Sequence, residues 1–393
     1  MSEASTKTTS DAARSLPLHG LCVLEIGHSL AAPYAGLIFA HLGARVVKIE
    51  NAKGGDYARG WGPPFIDDAS ALFHAMNHGK ESVRADLGDA ATVRCLHEFI
   101  VRHVDVVLQN LTPGALDRHG LGAEELMQRK PSLVVCNLGA FGSTGPLRDK
   151  PGYDPLAQAY SGMMSIVGHD ADAPSRVPIS INDQGTGMWA AIGVLAALRD
   201  REANGRGCVV DVSLFETALA WMTVPLSDSL AGGQQPVRLG SASPNIVPYQ
   251  VFECADQSIL VAAGNDLLYQ RLCGVLDLPE LASDPRFVTN SQRVTNRRAL
   301  IPLLQARFAR VPASNWLARL ERESIPCGPL QTLQAVLTDP QTLSLDILRR
   351  TPDGRSMTVA MPMSFDGVRP PMPGNTPALG AHDQLLAPNP ENP

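Results

Sequence analysis

Strand-like runs alternate with helix-like segments through the first half of this 393-residue chain. Apolar, β-branched runs of four to six residues predict the strands: residues 21–26, 45–49, 104–108 and 133–136. Helical spacing of apolar residues predicts helices over 31–42 and 90–101. This alternation is typical of a parallel sheet wrapped by helices, so the sequence predicts an α/β fold.

The first strand–helix–strand unit is similar to the unit that binds dinucleotides. Glu50 ends the second strand, where an acid could hold a ribose. However, residues 27–33 read Gly-His-Ser-Leu-Ala-Ala-Pro and lack the GxGxxG pattern. A nicotinamide-dependent dehydrogenase is therefore the less favoured alternative.

The composition of the chain changes after residue 224. Residues 208–212 predict a strand and 213–222 a helix, whereas 225–246 are rich in Gly, Ser, Pro and Gln and predict a linker or mobile loop. Alternation over 247–252 and 258–263 predicts a hairpin. Further helices are predicted at residues 267–276, 298–308, 315–323 and 332–337.

These changes divide the chain into four parts. We expect a flexible tail over residues 1–16, a large domain over 17–224 and a small domain with linkers over 225–330. The C-terminal segment, residues 331–393, is expected to return to the large domain.

Composition narrows the class of protein. The net charge of −6 and the scattered basic residues argue against a nucleic-acid partner. No apolar run is long enough to span a membrane, and the start of the chain is unlike a secretory signal, so we expect a cytoplasmic protein. Seven cysteines form no CxxC pair and are expected to be reduced core residues. The ten histidines form no HExxH pair, so no metal site is predicted.

Asp183 stands at the mouth of a long predicted helix. Apolar residues recur at helical spacing from Met188, and Asn204-Gly205 predicts the end of the helix. The simplest interpretation is that Asp183 only caps the helix. However, Gly185 and Gly187 are poor residues for a first turn, which suggests a close approach to the backbone there. The helix-end amides would keep Asp183 ionised and could stabilise an oxyanion.

Short motifs in a fixed order now identify a resemblance. They are Val23-Leu24-Glu25, residues 43–50 and 77–82, Asn110 with Pro113-Gly114, Phe141-Gly142 with Gly145-Pro146, Gly152-Tyr153-Asp154, Asp183 with Gly187, residues 205–214, and Leu379-Gly380-Ala381-His382. With these motifs the chain, from about residue 17 to 383, resembles the family III CoA-transferases, a group that also includes α-methylacyl-CoA racemases.

The resemblance implies both an architecture and a reaction. It implies a Rossmann-like large domain made from both chain ends, an inserted smaller α+β domain, and a homodimer of interlocked subunits. Asp183 matches the catalytic aspartate of the family, and coenzyme A or acyl-CoA is implied as substrate, with no metal required. The expected intermediates are aspartyl anhydrides and an aspartyl-CoA thioester.

The resemblance also implies roles for other residues. Asp154 matches an acid near the nucleophile, although an Asp before Pro155 also favours a turn. Tyr153 stands where the racemases carry a histidine base, and a phenol with a pKa of about 10 is poorly suited to that task. The expected CoA contacts are His28, Ala31, Lys80, Asn110 and Arg118, with the two cations suited to phosphate.

Two departures from the formyl-CoA:oxalate members bear on the substrate. Leu30 replaces a glutamine, and residues 241–246 replace a glycine-rich loop, which argues against formyl and oxalate. We expect succinyl-CoA as donor and a short dicarboxylate such as itaconate, mesaconate, malate or glutarate as acceptor. Candidates for the distal carboxylate are Arg238, Ser241, Ser243 and Asn245. A racemase-like enzyme and a non-catalytic acyl-CoA-binding protein remain alternatives.

Overall fold

The computed structural model describes residues 16–233 and 236–387. The expected tail over residues 1–16 lies, apart from Leu16, outside the described residues. The described chain forms two compact units. Unit 1 contains residues 16–161, 177–223 and 345–387, and unit 2 contains the rest.

These boundaries differ from the expected ones at two places. Residues 162–176 belong to unit 2, where His169 pairs with Leu239. The chain returns to unit 1 at residue 345 rather than 331, so residues 331–344 belong to unit 2.

Unit 1 is built on one parallel sheet. Its six strands are β1 (Cys22–Ile26), β2 (Arg45–Asn51), β5 (Glu81–Ala85), β6 (Val106–Gln109), β7 (Val134–Gly139) and β8 (Val209–Ser213). They lie in the order β5-β2-β1-β6-β7-β8, and every pair is parallel. The mixed α/β prediction is therefore confirmed, and strand order reverses between β1 and β6.

Helices cover both faces of this sheet, which explains why β1 is buried at every position. The helices of unit 1 are α1 (Ala31–His41), α2 (Ala71–Asn77), α3 (Ala90–His103), α4 (Ala123–Arg129), α5 (Asp154–Tyr160), α7 (Ile181–Asn204) and α8 (Leu214–Trp221). One apolar cluster joins α1 and α7 to the sheet, and a second cluster joins α3 to the other face. Two small hairpins complete the unit: β3 (Phe65–Ile66) with β4 (Ala69–Ser70), and β12 (Leu348–Arg350) with β13 (Met357–Val359).

Unit 2 has its own antiparallel sheet of β9 (Tyr249–Glu253), β10 (Ser258–Ala262) and β11 (Cys327–Pro329). The predicted hairpin over 247–263 is thus confirmed. Its helices are α6 (Met163–Ile166), α10 (Asp266–Val275), α11 (Pro279–Ser283), α12 (Asn290–Thr295), α13 (Arg297–Phe308), α14 (Ala313–Arg322), α15 (Leu333–Val336) and α16 (Pro340–Ser344). At its core Phe252 stacks on Phe308, and Trp316 meets Phe308 edge-on.

Helix α9 (Thr223–Leu230) occupies the start of the expected linker, so that prediction is wrong for these residues. Every cysteine is a free thiol, but Cys208 is exposed and is therefore not a core residue. Within the described ranges no helix is long and apolar enough to cross a membrane. The same ranges contain no cluster of three or more potential metal ligands.

Candidate active site

Asp183 occupies the third position of helix α7. The helix begins at Ile181 after the N-cap Ser180, and it ends at Asn204, where Gly205 adopts a left-handed φ of 74°. The predicted end of the helix is confirmed. Asp183 is not the capping residue, however, and its carboxylate accepts no hydrogen bond from any residue that the structure describes. The capping interpretation of Asp183 is therefore wrong.

Asp154 caps helix α7 in place of Asp183. Its Oδ2 accepts the backbone N–H of Asn182 at 2.6 Å and that of Asp183 at 3.3 Å. Asp154 is itself 1% exposed and begins helix α5, where Pro155 takes the second position. These two amides are thus occupied and do not face an oxyanion, contrary to the expectation from the helix end.

The surroundings of Asp183 disfavour its charged form. Burial, and then the negative charge of Asp154, raise the pKa of Asp183 from 3.8 to about 7. The helix end therefore does not lower the pKa of Asp183, and about half of its carboxyl groups are ionised at pH 7. A carboxylate with this pKa is more basic than a free one and hence a better nucleophile when it is ionised.

Gly187 shows which way Asp183 faces. Residues 183 and 187 lie one turn apart on the same face of α7. A Cβ atom on Gly187 would lie 2.8 Å from the Ala31 carbonyl oxygen and 3.1 Å from the Ala35 nitrogen. Asp183 therefore lies on the helix face that meets the first turn of α1.

The two glycines of this turn serve helix packing. Gly187 meets the α1 backbone, and a Cβ atom on Gly185 would lie 2.8 Å from both Thr217 and Trp221 of α8. The close approach that the glycines indicated is thus made by neighbouring helices.

The turn between β1 and α1 is held on its backbone atoms. Lys48 Nζ donates to the Gly27 carbonyl at 2.8 Å. Asn110 accepts the His28 N–H at 3.0 Å and donates to the His28 carbonyl at 2.9 Å. Asp56 accepts the N–H of Ser29, whose φ of 69° is unusual for a residue with a side chain. The backbone of the turn is therefore held in one conformation at His28.

His28 is half-buried, and its ring lies edge-on to Tyr57 with centroids 5.5 Å apart. Burial lowers the pKa of His28, so the ring is neutral near pH 7. Both residues line a cavity of about 320 Å³ with Asn51, Asp86 and Leu111. This cavity lies beyond the carboxyl ends of β1, β2 and β5, next to the point where strand order reverses.

Two of the expected CoA contacts have other partners. Lys80 is 4% exposed, and its three N–H groups bind Glu25, the Pro33 carbonyl and Asn77. It therefore has no donor left for a phosphate. Asn110 also holds the backbone of His28, through its oxygen and one of its two amide N–H groups. We correct the assignment of Lys80 from ligand contact to support of the site, whereas Asn110 stays a candidate ligand contact.

Of the other expected CoA contacts, Ala31 is buried and Arg118 is exposed. Ala31 is buried at the start of α1, next to Gly187. Arg118 is exposed on a short 3₁₀ helix, Asp117–His119, and lies near Gly114. Tyr153 is 58% exposed beside Asp154.

Glu50 is not available to hold a ribose. Its carboxylate binds Arg59 at 2.7 Å and also accepts the Ser82 hydroxyl and the Asp56 N–H. The observation that favoured a dehydrogenase is thus explained by an internal ion pair.

The candidates for a distal carboxylate all lie in unit 2. Arg238 donates to the carbonyl groups of residues 169, 170 and 172. Asn245 donates to Asp228, and the Ser241 hydroxyl accepts the Val251 N–H. These side chains stabilise their own loop, and Ser243 accepts a hydrogen bond from Arg297 at its backbone carbonyl.

Sequence reasoning missed the residues that support this site, notably Gln158, Lys48 and Asp56. Gln158 and Asp56 lie in segments without apolar periodicity, and Lys48 interrupts an apolar strand. A charged residue inside a buried strand was the available signal, because such a charge needs a partner.

Comparisons with known proteins agree with the motifs. Residues 18–383 match the family model for CoA-transferase family III. Succinyl-CoA:glutarate CoA-transferase of Mus musculus is 36% identical over 327 residues, which cover 83% of this chain and 75% of the mouse protein. Acetyl-CoA:oxalate CoA-transferase of Acetobacter aceti is 36% identical over 356 residues and 90% of each chain.

A solved CAIB/BAIF family protein from Brucella suis has 34% identity and a TM-score of 0.84, covering 95% of this chain and 99% of that one. The resemblance inferred from the motifs is thereby confirmed. The chain is an enzyme of CoA-transferase family III.

Proposed function

We propose that this enzyme moves CoA from succinyl-CoA to a short dicarboxylate, with Asp183 as the covalent nucleophile. The observation that carries the proposal is the Asp183 carboxylate, which accepts no hydrogen bond from a described residue and has a pKa raised to about 7. It lies on the face of α7 that meets the first turn of α1.

The reaction conserves the thioester bond energy. Asp183 attacks the acyl-CoA carbonyl carbon, and the C–S bond breaks to give a mixed anhydride and CoA thiolate. The thiolate attacks the aspartyl carbonyl and releases the donor carboxylate, which leaves an aspartyl-CoA thioester. The acceptor carboxylate attacks this thioester and releases thiolate again. The thiolate then takes the acceptor acyl group from the second anhydride and restores the Asp183 carboxylate.

Coenzyme A reaches Asp183 along the β1–α1 turn in this proposal. The nucleotide end enters the cavity beside His28 and Tyr57, and the thioester passes Ala31 at the start of α1. Arg118 is exposed and carries a positive charge that suits a phosphate. Lys80 supports the site without touching the ligand, and Asn110 supports the turn and stays a candidate contact.

The named relatives support dicarboxylate substrates. The mouse relative is named for succinyl-CoA and glutarate, and one from Haloarcula hispanica for succinyl-CoA and mesaconate. The Acetobacter relative is named for oxalate, so oxalate belongs in any acceptor panel. We expect succinyl-CoA to exceed butyryl-CoA in kcat/KM by tenfold or more. Butyryl-CoA lacks the second carboxylate, so it would leave the polar groups that bind that carboxylate without a partner.

Mass spectrometry of the products tests the reaction. The purified protein, incubated with succinyl-CoA and each acid in turn, should form the CoA ester of the preferred acid. Asp183→Ala should abolish this turnover while the circular dichroism spectrum stays unchanged. Wild-type turnover should also carry ¹⁸O from a labelled acceptor carboxylate into the peptide that contains Asp183. Turnover by pure, folded Asp183→Ala would disprove the covalent role.

We also propose a homodimer of interlocked subunits, with residues 224–344 as the inserted domain. Large apolar side chains are exposed along α7 at Met188, Ile192 and Leu195, a helical stripe that a second copy would cover. Light scattering over a hundredfold dilution should give one dimeric species. A folded, active monomer would refute the interlocked architecture.

A further inference from the structure

Gln158 joins three parts of the site. It is fully buried on α5. Its Nε2 donates to Asp154 Oδ1 at 2.5 Å and to the Val177 carbonyl at 3.3 Å, and its Oε1 accepts the Val177 N–H at 2.8 Å. Asp154 in turn caps α7 through its other oxygen. The carboxamide thus connects the segment before α7 with the carboxylate behind Asp183.

From this geometry we infer that Gln158 is a positioning residue for Asp183. Its N–H fixes one oxygen of Asp154, which leaves the other oxygen on the first amides of α7. The negative charge of Asp154 is then held at a constant place behind the nucleophile. This inference rests on the proposed transferase reaction at Asp183.

Few charged groups surround this chain of contacts. Helix α5 packs against α7 and α8, which contribute Asp183 and Glu216. The Glu216 carboxylate accepts the Ser213 hydroxyl at 2.6 Å. Lys150, on the preceding loop, donates to the hydroxyl of Tyr160 at the far end of α5. The charge that acts on Asp183 is therefore that of Asp154.

The variant Gln158→Glu keeps the shape of the side chain and exchanges its N–H donor for an oxygen. Two carboxyl groups at such a distance cannot both ionise, so they share one proton. While that proton is present, the bond to Asp154 persists and Asp183 keeps its environment. When it leaves at higher pH, a second negative charge appears behind the nucleophile and the two carboxylates repel each other.

The expected result is a new alkaline limb in the pH profile of kcat/KM. Relative to the wild type, Gln158→Glu should keep its activity near pH 6 to within about threefold and lose about tenfold or more by pH 9. The variant Gln158→Met, which has no donor and no titrating group, should be impaired by the same factor at every pH. Because a carboxylate at this position titrates whether Gln158 positions Asp154 or only packs, the double variant Asp154→Asn/Gln158→Glu separates the two roles.

A double variant keeps the inference testable if Gln158→Glu folds poorly. In Asp154→Asn/Gln158→Glu the amide and the carboxylate exchange places, so the hydrogen bond and the single charge are both retained. At pH 8 it should recover stability and at least about fivefold in kcat/KM over Gln158→Glu alone, because coupled residues are not additive. Equal or lower stability and activity in the double variant would overturn the inference.

The chain offers a matched control in Gln305. Its carboxamide pairs with the backbone of Glu253 at 2.8 and 3.1 Å, as Gln158 pairs with Val177. Gln305→Glu should therefore reproduce the wild-type profile. If the wild type itself shows no transfer, the proposed function fails; if it transfers CoA and Gln158→Glu has a wild-type profile, only the positioning role fails.

Discussion

Asp183→Asn should stabilise the protein at alkaline pH while it abolishes transfer. An aspartate whose pKa is higher in the folded state than in the unfolded chain destabilises the fold once pH exceeds the unfolded value. The loss of stability begins near pH 4 and is complete above pH 7, because the pKa of Asp183 rises from 3.8 to about 7 on folding. Each tenfold change in the acid dissociation constant corresponds to about 1.4 kcal/mol, so the full loss in the free energy of unfolding is about 4 kcal/mol.

Asp183→Asn removes this loss of stability because an amide does not titrate between pH 4 and pH 9. Any effect of the amide on packing is the same at every pH. The free energy of unfolding of Asp183→Asn minus that of the wild type should therefore be about 3 kcal/mol larger at pH 8 than at pH 4.5. Urea unfolding followed by circular dichroism, at one fixed protein concentration, measures this difference.

Asp68→Asn, which changes an exposed carboxylate, provides the control and should show no such dependence on pH. A stability difference for Asp183→Asn that is equal at both pH values would refute the reasoning. It would mean that the Asp183 carboxyl group is solvated in the folded protein and is not activated by its surroundings.

Three other outcomes follow from the same contacts. Asp154→Asn keeps a capping oxygen but removes its charge. The midpoint of the acid limb of kcat/KM, which is set by the pKa of Asp183, should therefore move below pH 7. A midpoint that does not move would contradict the electrostatic role of Asp154. Gly187→Ala should destabilise by about 1–3 kcal/mol, because its Cβ meets the backbone of Ala31, and should reduce transfer. Its control, Gly274→Ala on α10, has nothing within 4 Å and should be neutral or stabilising in thermal unfolding.

Apolar patterning predicted the sheet of unit 1 because most of its strands are buried on both faces. Strand β1, predicted over residues 21–26, is Cys22–Ile26, and β6, β7 and β8 lie within two or three residues of their predicted bounds. Strand β5 was missed because Ser82 and Arg84 interrupt its apolar residues. Both polar side chains are satisfied by distant partners, Glu50 and Asp383, which no local pattern reveals.

The nucleophile could be located from sequence, but its environment could not. Helical spacing and Gly205 placed Asp183 near a helix start. Its cap, Asp154, comes from 29 residues earlier in the chain. Asp154 before a proline indicated a turn, whereas the structure begins helix α5 there. Lys80 was expected to face a ligand because the sequence does not show that Glu25 lies beneath it.

Asp183, which is half-buried, differs in its partners from the buried carboxylates of unit 1. Glu25, Glu50 and Asp56 each have a lysine or arginine nitrogen within 2.9 Å. Within the described part of the chain Asp154 has no such cation, but it accepts three N–H bonds. Such pairing is the usual requirement for burial, because an unpaired buried charge is costly. Asp183 has neither a cation nor a hydrogen-bond donor among the described residues, and a negative charge is held next to it. An arrangement that sacrifices stability at this one carboxylate is explained by the covalent chemistry proposed for it.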